Sequence, residues 1–584
     1  MKSMRRIKLF AAFMLTLHVL LMGRLLQLQL VQVESYSKKK INLLEKSVKQ
    51  RTQQFVIDSG RGQFLDANNQ PLSYSERYVL VLFPFIQFDD QALAKLSSNI
   101  PMDLTTLQKT LKETKQPVKL TQLSLNEHQV KEINNLRLDG VFVVKEKIVK
   151  DTPLATQFIG ITGENQQLFD QRYPSKSLNP LQPIGQTGLQ KMFDELLLSE
   201  GNEKLMYHVD AFGRPLFGLD VKYSSPNNSF FPLNIKTTID GDLQQELENY
   251  IDTTSLISGG ILLLDIENSE LKAVVSRPKI TNNDPFSNPG IENLMFTQLT
   301  PGSVFKTVIA AAAIENLLVN DQETFDCDKN IYGEIEVEKM QFGQLNFKES
   351  FTKSCNAAFG ELAVRLTRQN PKLIARYAEK LGVVGGVGWK GDFFHNHNYS
   401  QLEEDIGQIY TTTGTDNESV HKQTGIGQLD VQVTPLAIAN MMATIARGGE
   451  RFMVNGVSEV QYQNGSQFYS FDTKHLEGET ISPYTAMKLQ ELLRSVVKSK
   501  QGTAHALSEL PYEVAGKTGT AEVEIRNGTP YYHKWFAGYF PFDKPKYALV
   551  VVNTNTTYSG ESAHQLFADT VNILKSRENL LYNQ

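Results

Sequence analysis

Cysteine is nearly absent: only Cys327 and Cys355 occur in 584 residues. Two cysteines exclude a disulfide-framed scaffold and a CxxC-type metal site. Tryptophan is equally scarce, with two, and histidine reaches only ten. His395 and His397 lie close together but lack further ligands at metal-binding spacing, so they read as a solvent-exposed loop. His505 and His533 read as satisfied side chains near a cleft rather than as a site of their own. Neither sign of charge dominates. A formal net charge of −5 offers no basic stripe to a polyanion, and nucleic acid is not a favoured partner. Internal repeats and long low-complexity tracts are missing. Long apolar runs are missing too, with one exception.

The exception is N-terminal. Lys2, Arg5, Arg6 and Lys8 precede an apolar run from Leu9 to Gly23, and beyond Arg24 the apolar face continues through Leu25, Leu26, Leu28, Leu30 and Val31. A membrane span needs about 20 residues, and Arg24 can snorkel to the headgroups. A cleaved signal peptide competes, but no small-x-small site lies near Gly23. The expectation is a membrane anchor over residues 1–31. The basic flank then stays in the cytoplasm and the rest of the chain lies outside it.

A chain of this length exceeds one compact core. Residues 33–51 read as a polar helix, with Lys38, Lys39 and Lys40 on a solvated face. Tyr78–Phe83 and Gly140–Val144 read as strands. Ser224–Ser229 is the clearest linker, because Pro, Asn and Ser disfavour helix and strand alike. It separates a region at 32–230 from one at 231–584. In the second region Asp242–Tyr250 reads as a helix, and Gly260–Asp265 and Leu271–Ser276 as paired strands. Val304–Asn316 reads as an apolar helix, Trp535–Phe540 and Tyr547–Val552 as a second strand pair, and Ala563–Lys575 as a closing helix. Strands at both ends around a helical middle predict an α/β (α+β) sandwich with a mainly antiparallel sheet.

Three short motifs carry the chemistry. Ser303-Val304-Phe305-Lys306 follows a Thr-Pro-Gly turn and opens the apolar helix. Ser at i and Lys at i+3 share a helix face, so the amine reaches the hydroxyl. The hydroxyl needs a base, and a lysine serves once burial or nearby charge lowers its pKa. SxxK alone means little: Ser269/Lys272 and Ser495/Lys498 repeat it as ordinary surface pairs. Ser354-Cys355-Asn356 offers a hydroxyl that can relay protons and a carboxamide that can bind a peptide group, with alternate residues of an extended loop pointing the same way. Lys517-Thr518-Gly519-Thr520 reads as an edge strand. Gly519 leaves room for a substrate backbone, and Lys517 with the threonine hydroxyls can hold a carboxylate. A P-loop is excluded because Pro511 stands where a glycine is required. Ser303 and Ser354 are 51 residues apart, and Ser354 and Lys517 are 163 apart. The order SxxK, SxN, KTGT is that of acyl-serine transferases.

With these motifs the sequence resembles the penicillin-binding proteins, class B in particular. Arg61-Gly62-Gln63-Phe64-Leu65-Asp66 resembles the motif that opens their pedestal domain, and Gly185–Gln190 resembles its second motif. Thr238-Ile239-Asp240 resembles the entry to the transpeptidase domain, and Thr424–Gln428 with Val433-Thr434-Pro435 the segment between the second and third motifs. Ala67, Asn69 and Gln190 depart from the usual Arg, Gly and Glu. The resemblance implies an elongated mixed α/β pedestal and a transpeptidase domain acting on D-Ala-D-Ala stem peptides of peptidoglycan. Ser303 would be the nucleophile, acylated also by β-lactams, and Lys306 its base. Ser354 would relay protons and Asn356 bind the peptide amide. Lys517 and Thr518 would hold the carboxylate, with the N–H groups of Ser303 and Thr520 as the oxyanion hole. It implies no metal and no organic cofactor, and a glycosyltransferase as a candidate partner. A β-lactamase would be shorter, with a dedicated deacylating Glu. A bifunctional class A chain would carry a Glu-Asp-x-x-Phe-x-x-His pattern, absent from residues 32–230. A D,D-carboxypeptidase remains chemically close. From outside enzymology the rival is a non-catalytic cell-wall scaffold.

Overall fold

The computed structural model describes residues 2–31, 42, 46 and 51–582, apart from short stretches at 59, 85, 87, 115, 151, 175–182, 200, 202, 211, 213–215, 217–220, 225–229, 282–285, 287–288, 321, 336–340 and 410–416. Most of the polar stretch 33–51 and most of the linker Ser224–Ser229 lie outside the described residues.

The apolar N-terminus forms helix α1, Lys2–Leu26. The segment Met4–Gln29 is long and apolar enough to cross a membrane, and none of it is buried against the rest of the protein.

The chain divides into two compact units that interleave along the sequence: residues 1–60, 75–148 and 199–228 in one, 61–74, 149–198 and 229–584 in the other. In the first unit the strand Tyr74–Leu82 is flanked by Val118–Leu125 and Val141–Val149. Its side chains alternate between two cores, as a period of two requires. Leu80 and Leu82 pack with Leu93, Leu96 and Leu107. Val79, Val81 and Phe83 pack with Ile57, Leu205 and Tyr207.

The second unit is built on a five-stranded sheet of β1 (Gly259–Asp265), β2 (Leu271–Arg277), β3 (Ala515–Arg526), β4 (Thr529–Phe540) and β5 (Tyr547–Thr556). The order is β2-β1-β5-β4-β3, and every neighbouring pair is antiparallel. The helices of this unit include α2 (Gly241–Asp252), α3 (Lys306–Glu315), α4 (Asn356–Gln369), α5 (Pro435–Ala446) and α6 (Ala563–Tyr582). Asp240 caps α2, accepting from Leu243 N at 3.0 Å. Thr434 caps α5, with Pro435 preset at its first position. Alternate side chains of β4 serve opposite faces. Phe536 and Phe540 meet Phe567 of α6, while Trp535 donates from Nε1 to Thr300 O at 3.0 Å on the other side. Helix α5 is apolar all round and buried from Pro435 to Ile445, as such a helix must be. The mixed α/β unit with its antiparallel sheet is the architecture expected from the sequence.

The segments at 61–74 and 149–198 explain two of the departures noted above. Asn69 takes φ +61°, a left-handed turn that Asn tolerates almost as Gly does. Gln190 Oε1 accepts from Arg61 Nε (2.9 Å) and Nη2 (2.7 Å). The carboxylate comes from Asp194, 2.7 Å from Arg61 Nη2 and buried with it. Tyr173 Oη at 2.9 Å and Gly185 N at 2.8 Å also donate to Asp194. The amide at 190 therefore keeps the arginine bonded, and the charge pairing is made one helical turn later.

Candidate active site

The turn before α3 is the first piece. Gly302–Phe305 is one turn of 3₁₀-helix that runs straight into α3 at Lys306. Gly302 sits at φ +56°, and a Cβ there would lie 2.5 Å from Thr520 O. Both its conformation and its proximity to β3 require glycine. Trp535 on Thr300 O and Gln432 Nε2 on Thr300 Oγ1 (3.0 Å) hold the approach to Ser303.

Lys306 is wholly buried among the residues of α3. Its Nζ donates to Ser354 O (2.7 Å), Ser354 Oγ (3.1 Å) and Asn356 Oδ1 (2.7 Å). Lys517 is also wholly buried. Its Nζ donates to the same Ser354 Oγ at 3.0 Å and to Thr518 O at 3.1 Å. Ser354 Oγ is thus shared by two amines, and its own proton must be directed elsewhere. Burial, and then the charge on Lys517, push the Lys306 amine well below the ordinary lysine range. Burial alone brings Lys517 down to about 7. The Phe359 ring lies 5.6 Å from Lys306 Nζ and the Phe351 ring 5.7 Å from Lys517 Nζ. These rings exclude water, yet their faces still favour a cation.

The second motif differs from its expected form. Ser354 has φ +59°, Cys355 is the N-cap of α4, and Asn356 is its first residue. The motif is a left-handed turn into a helix, not an extended loop, and it is the turn that brings Ser354 Oγ and Asn356 Oδ1 to the same amine. Cys355 is bonded to Cys327, with Cα atoms 5.6 Å apart. The few cysteines of the chain thus close one bridge beside the site.

The third motif lies on β3, at the open edge of the sheet. A Cβ on Gly519 would stand 2.6 Å from Pro301 O and 2.8 Å from Val304 Cγ2. The expectation that this glycine makes room for a substrate is therefore corrected: it makes room for the turn that carries Ser303. Thr518 Oγ1 meets Thr503 Oγ1 at 2.9 Å. With its amide oriented to fit, Gln428 donates to Glu522 O (3.3 Å) and accepts from Glu522 N (3.2 Å). Glu522 therefore turns its backbone polar groups outward. Up to that residue β3 pairs with β4 without a register shift. Thr520 and Thr518 share its parity and also present N–H and C=O to the open edge.

Residues 259–572 match the model of the penicillin binding protein transpeptidase domain. The chain belongs to the penicillin-binding proteins. Residues 56–229 match the penicillin-binding protein dimerisation domain, the combination that marks class B. Among relatives of this penicillin-binding protein, stage V sporulation protein D of Bacillus subtilis (strain 168) is 24% identical over 521 residues, covering 85% of this chain and 74% of that one. Peptidoglycan D,D-transpeptidase FtsI of Escherichia coli (strain K12) is 23% identical over 521 residues, covering 85% and 79%. A chain solved in work on the structural coordination of polymerization and crosslinking by a peptidoglycan synthase complex superposes with a TM-score of 0.63 at 21% identity. It covers 97% of both chains and shows a common fold.

Sequence reasoning named the eight motif residues of this penicillin-binding protein but not their neighbours. Phe351, Phe359 and Thr503 carry no local signal, because they reach the site only through tertiary packing. Gln428 had a signal, its place in Gly-Ile-Gly-Gln, but no role. His533 is buried and held by Asn555 N, which donates to its Nδ1 at 3.2 Å. Burial lowers it to about 4, so it is neutral. Among the described residues no cluster of His, Cys, Asp and Glu is placed to hold a metal.

Proposed function

We propose that the chain is a serine D,D-transpeptidase that cross-links peptidoglycan stem peptides through an ester on Ser303, and that β-lactams acylate the same hydroxyl. The observation that carries this reading is the pair of buried lysines sharing Ser354 Oγ beside the Ser303 turn. A neutral Lys306 takes the Ser303 proton as Oγ attacks the penultimate D-Ala carbonyl. The N–H groups of Ser303 and Thr520 receive the oxyanion. The C–N bond breaks, and Ser354 relays a proton to the departing D-Ala amine. Lys517, as a cation, and Thr518 hold the terminal carboxylate, Asn356 binds the peptide amide, and Gly519 lets the strand close on the turn. An amine of a second stem peptide then attacks the ester, forming a new amide and returning the proton to Ser303. Water in place of that amine gives carboxypeptidase activity from the same groups.

Residues 1–31 would serve as cytoplasmic tip and anchor, 32–230 as the pedestal and 231–584 as the transpeptidase domain. The basic flank of α1 favours a cytoplasmic N-terminus and an extracytoplasmic catalytic domain. A glycan-polymerising glycosyltransferase is the partner class that suits a cross-linking enzyme.

The test is mass spectrometry of the intact protein mixed with a labelled penicillin. The expected result is a one-to-one adduct that persists for minutes and is missing from Ser303→Ala. A folded protein that takes up no label would remove Ser303 as the nucleophile and leave the scaffold reading.

A further inference from the structure

A second cluster of aromatic side chains shares no residue with the catalytic site. Val457–Gln461 and Gln467–Ser470 form a hairpin at the edge of a four-stranded sheet. Lys390–Phe393 and Asn396–Ser400 form another hairpin beside it, and Tyr469 Oη joins the two by donating to Asp392 O at 3.2 Å. The inward rings are a core: Trp389, Phe393 and Phe471 are buried, with Phe393 4.8 Å from Tyr469 and 5.0 Å from Phe471. The outward rings form a row on that base. Phe230 meets Tyr462 at 5.5 Å, Tyr462 meets Phe468 at 5.5 Å, and Phe468 meets Phe394 at 5.9 Å. Both ends lie in solvent, Phe230 exposed by 55% and Phe394 by 49%. Phe394 also takes φ +55°, a left-handed setting that costs a bulky residue stability. A contiguous row of exposed rings marks an interaction surface.

The polar side chains around the row are neutral. Residues 461–470 and 393–400 hold no Lys, Arg, Asp or Glu. They hold exposed amides instead, at Asn396, Asn398, Gln463, Asn464 and Gln467, each both donor and acceptor. Asp392, the carboxylate of the second hairpin, is 3.6 Å from His397 Nδ1. A charged polymer therefore gains little counter-charge here. An uncharged chain of sugar rings matches the surface: the negative faces of the aromatic rings suit pyranose C–H groups, and the amides suit its hydroxyl and acetamido groups.

We propose that this row binds the glycan strand of peptidoglycan, so that the protein grips the sugar polymer at one surface and its stem peptides at another. Only the identity of the polymer rests on the reading given under the proposed function; the stacking chemistry does not involve Ser303.

The experiment titrates the full-length protein in detergent with chitin hexasaccharide, an uncharged N-acetylglucosamine chain, by calorimetry. Wild type is expected to bind it, and more tightly than chitin disaccharide, because a row of rings gains contacts with chain length. Phe230→Ser/Phe394→Asn is expected to weaken binding about tenfold or more. Asparagine suits the left-handed turn, and unchanged penicillin acylation of the variant shows that its fold is kept. Should the double variant lose that labelling, Phe394→Asn alone, at a hairpin tip, carries the same test. Absence of binding to wild type at millimolar hexasaccharide overturns the proposal, as does equal affinity for the two saccharides or an affinity that the labelled variant retains in full. Self-association of wild type that the variant abolishes, without saccharide binding, assigns the row to a contact between protein chains and also overturns it. Saccharide binding by a wild type that penicillin fails to label overturns the serine reading and leaves this surface standing.

Discussion

Lys306 and Lys517 are two cationic residue types with no carboxylate among their hydrogen-bond partners, and the chemistry of the site follows from that arrangement. Desolvation penalises the charged form of each, and the charge on Lys517 lowers Lys306 further. The consequence is a division of labour by pH. In the proposed reaction Lys306 accepts the Ser303 proton as a neutral amine, and burial together with the charge on Lys517 pushes it toward that form. Lys517 must be cationic to hold a carboxylate, and with a pKa of about 7 it loses that charge as pH rises. For a donor bearing a carboxylate, kcat/KM, which reports the free enzyme, is expected to fall about tenfold per pH unit above about 7 to 8. A pH profile that stays flat to pH 9 would contradict the role of Lys517. The three motifs were legible in the sequence because each is a local string. The shared Ser354 Oγ was not legible, because it depends on the left-handed turn at Ser354 and on rings from Phe351 and Phe359 that no local pattern brings to the lysines.

At the scale of elements, the decisive contact is β3 against the 3₁₀ turn. Gly519 faces Pro301 O and Val304, and Gly302 faces Thr520 O, so two glycines let a strand and a helix start approach each other. Gly519→Ala is expected to cost about 1–3 kcal/mol in stability, as overpacking does. Penicillin acylation should drop by at least tenfold, because strand and turn are pushed apart. Thermal unfolding and adduct formation read the two effects separately, and unchanged acylation would mean that the strand can shift freely. The sheet strands, α2 and α3 were legible from period and turn chemistry, β4 and α6 only in part, and α4 and α5 were not read as helices. Gly519 was misread because a sequence says that a side chain is missing, not which neighbour fills the space.

For the molecule as a whole, the bridge between Cys327 and Cys355 joins residues 28 apart. Closing a loop of that size stabilises the folded state by about 3–4 kcal/mol in the chain-entropy account. A Cys327→Ser/Cys355→Ser double variant is expected to melt several degrees lower than wild type, and reductant should lower wild type toward it. Equal melting temperatures with and without reductant would argue that the bridge adds no stability. Two cysteines in so long a chain gave no basis for pairing them. The interleaving of the two compact units was equally hidden, since only long-range contacts define it.

The order of the sheet sets a timetable. Strand β5 stands between β1 and β4, although it is the last of the five to be synthesised. The β1–β2 hairpin must wait with one bare edge until residue 547 emerges, on the order of tens of seconds at ordinary translation rates. A nascent chain halted before β5 would already hold Ser303, Lys306, Ser354 and Lys517, yet would lack the strand that joins the two halves of the sheet. The proposed nucleophile is therefore expected to be armed only once β5 has been made and has joined the sheet.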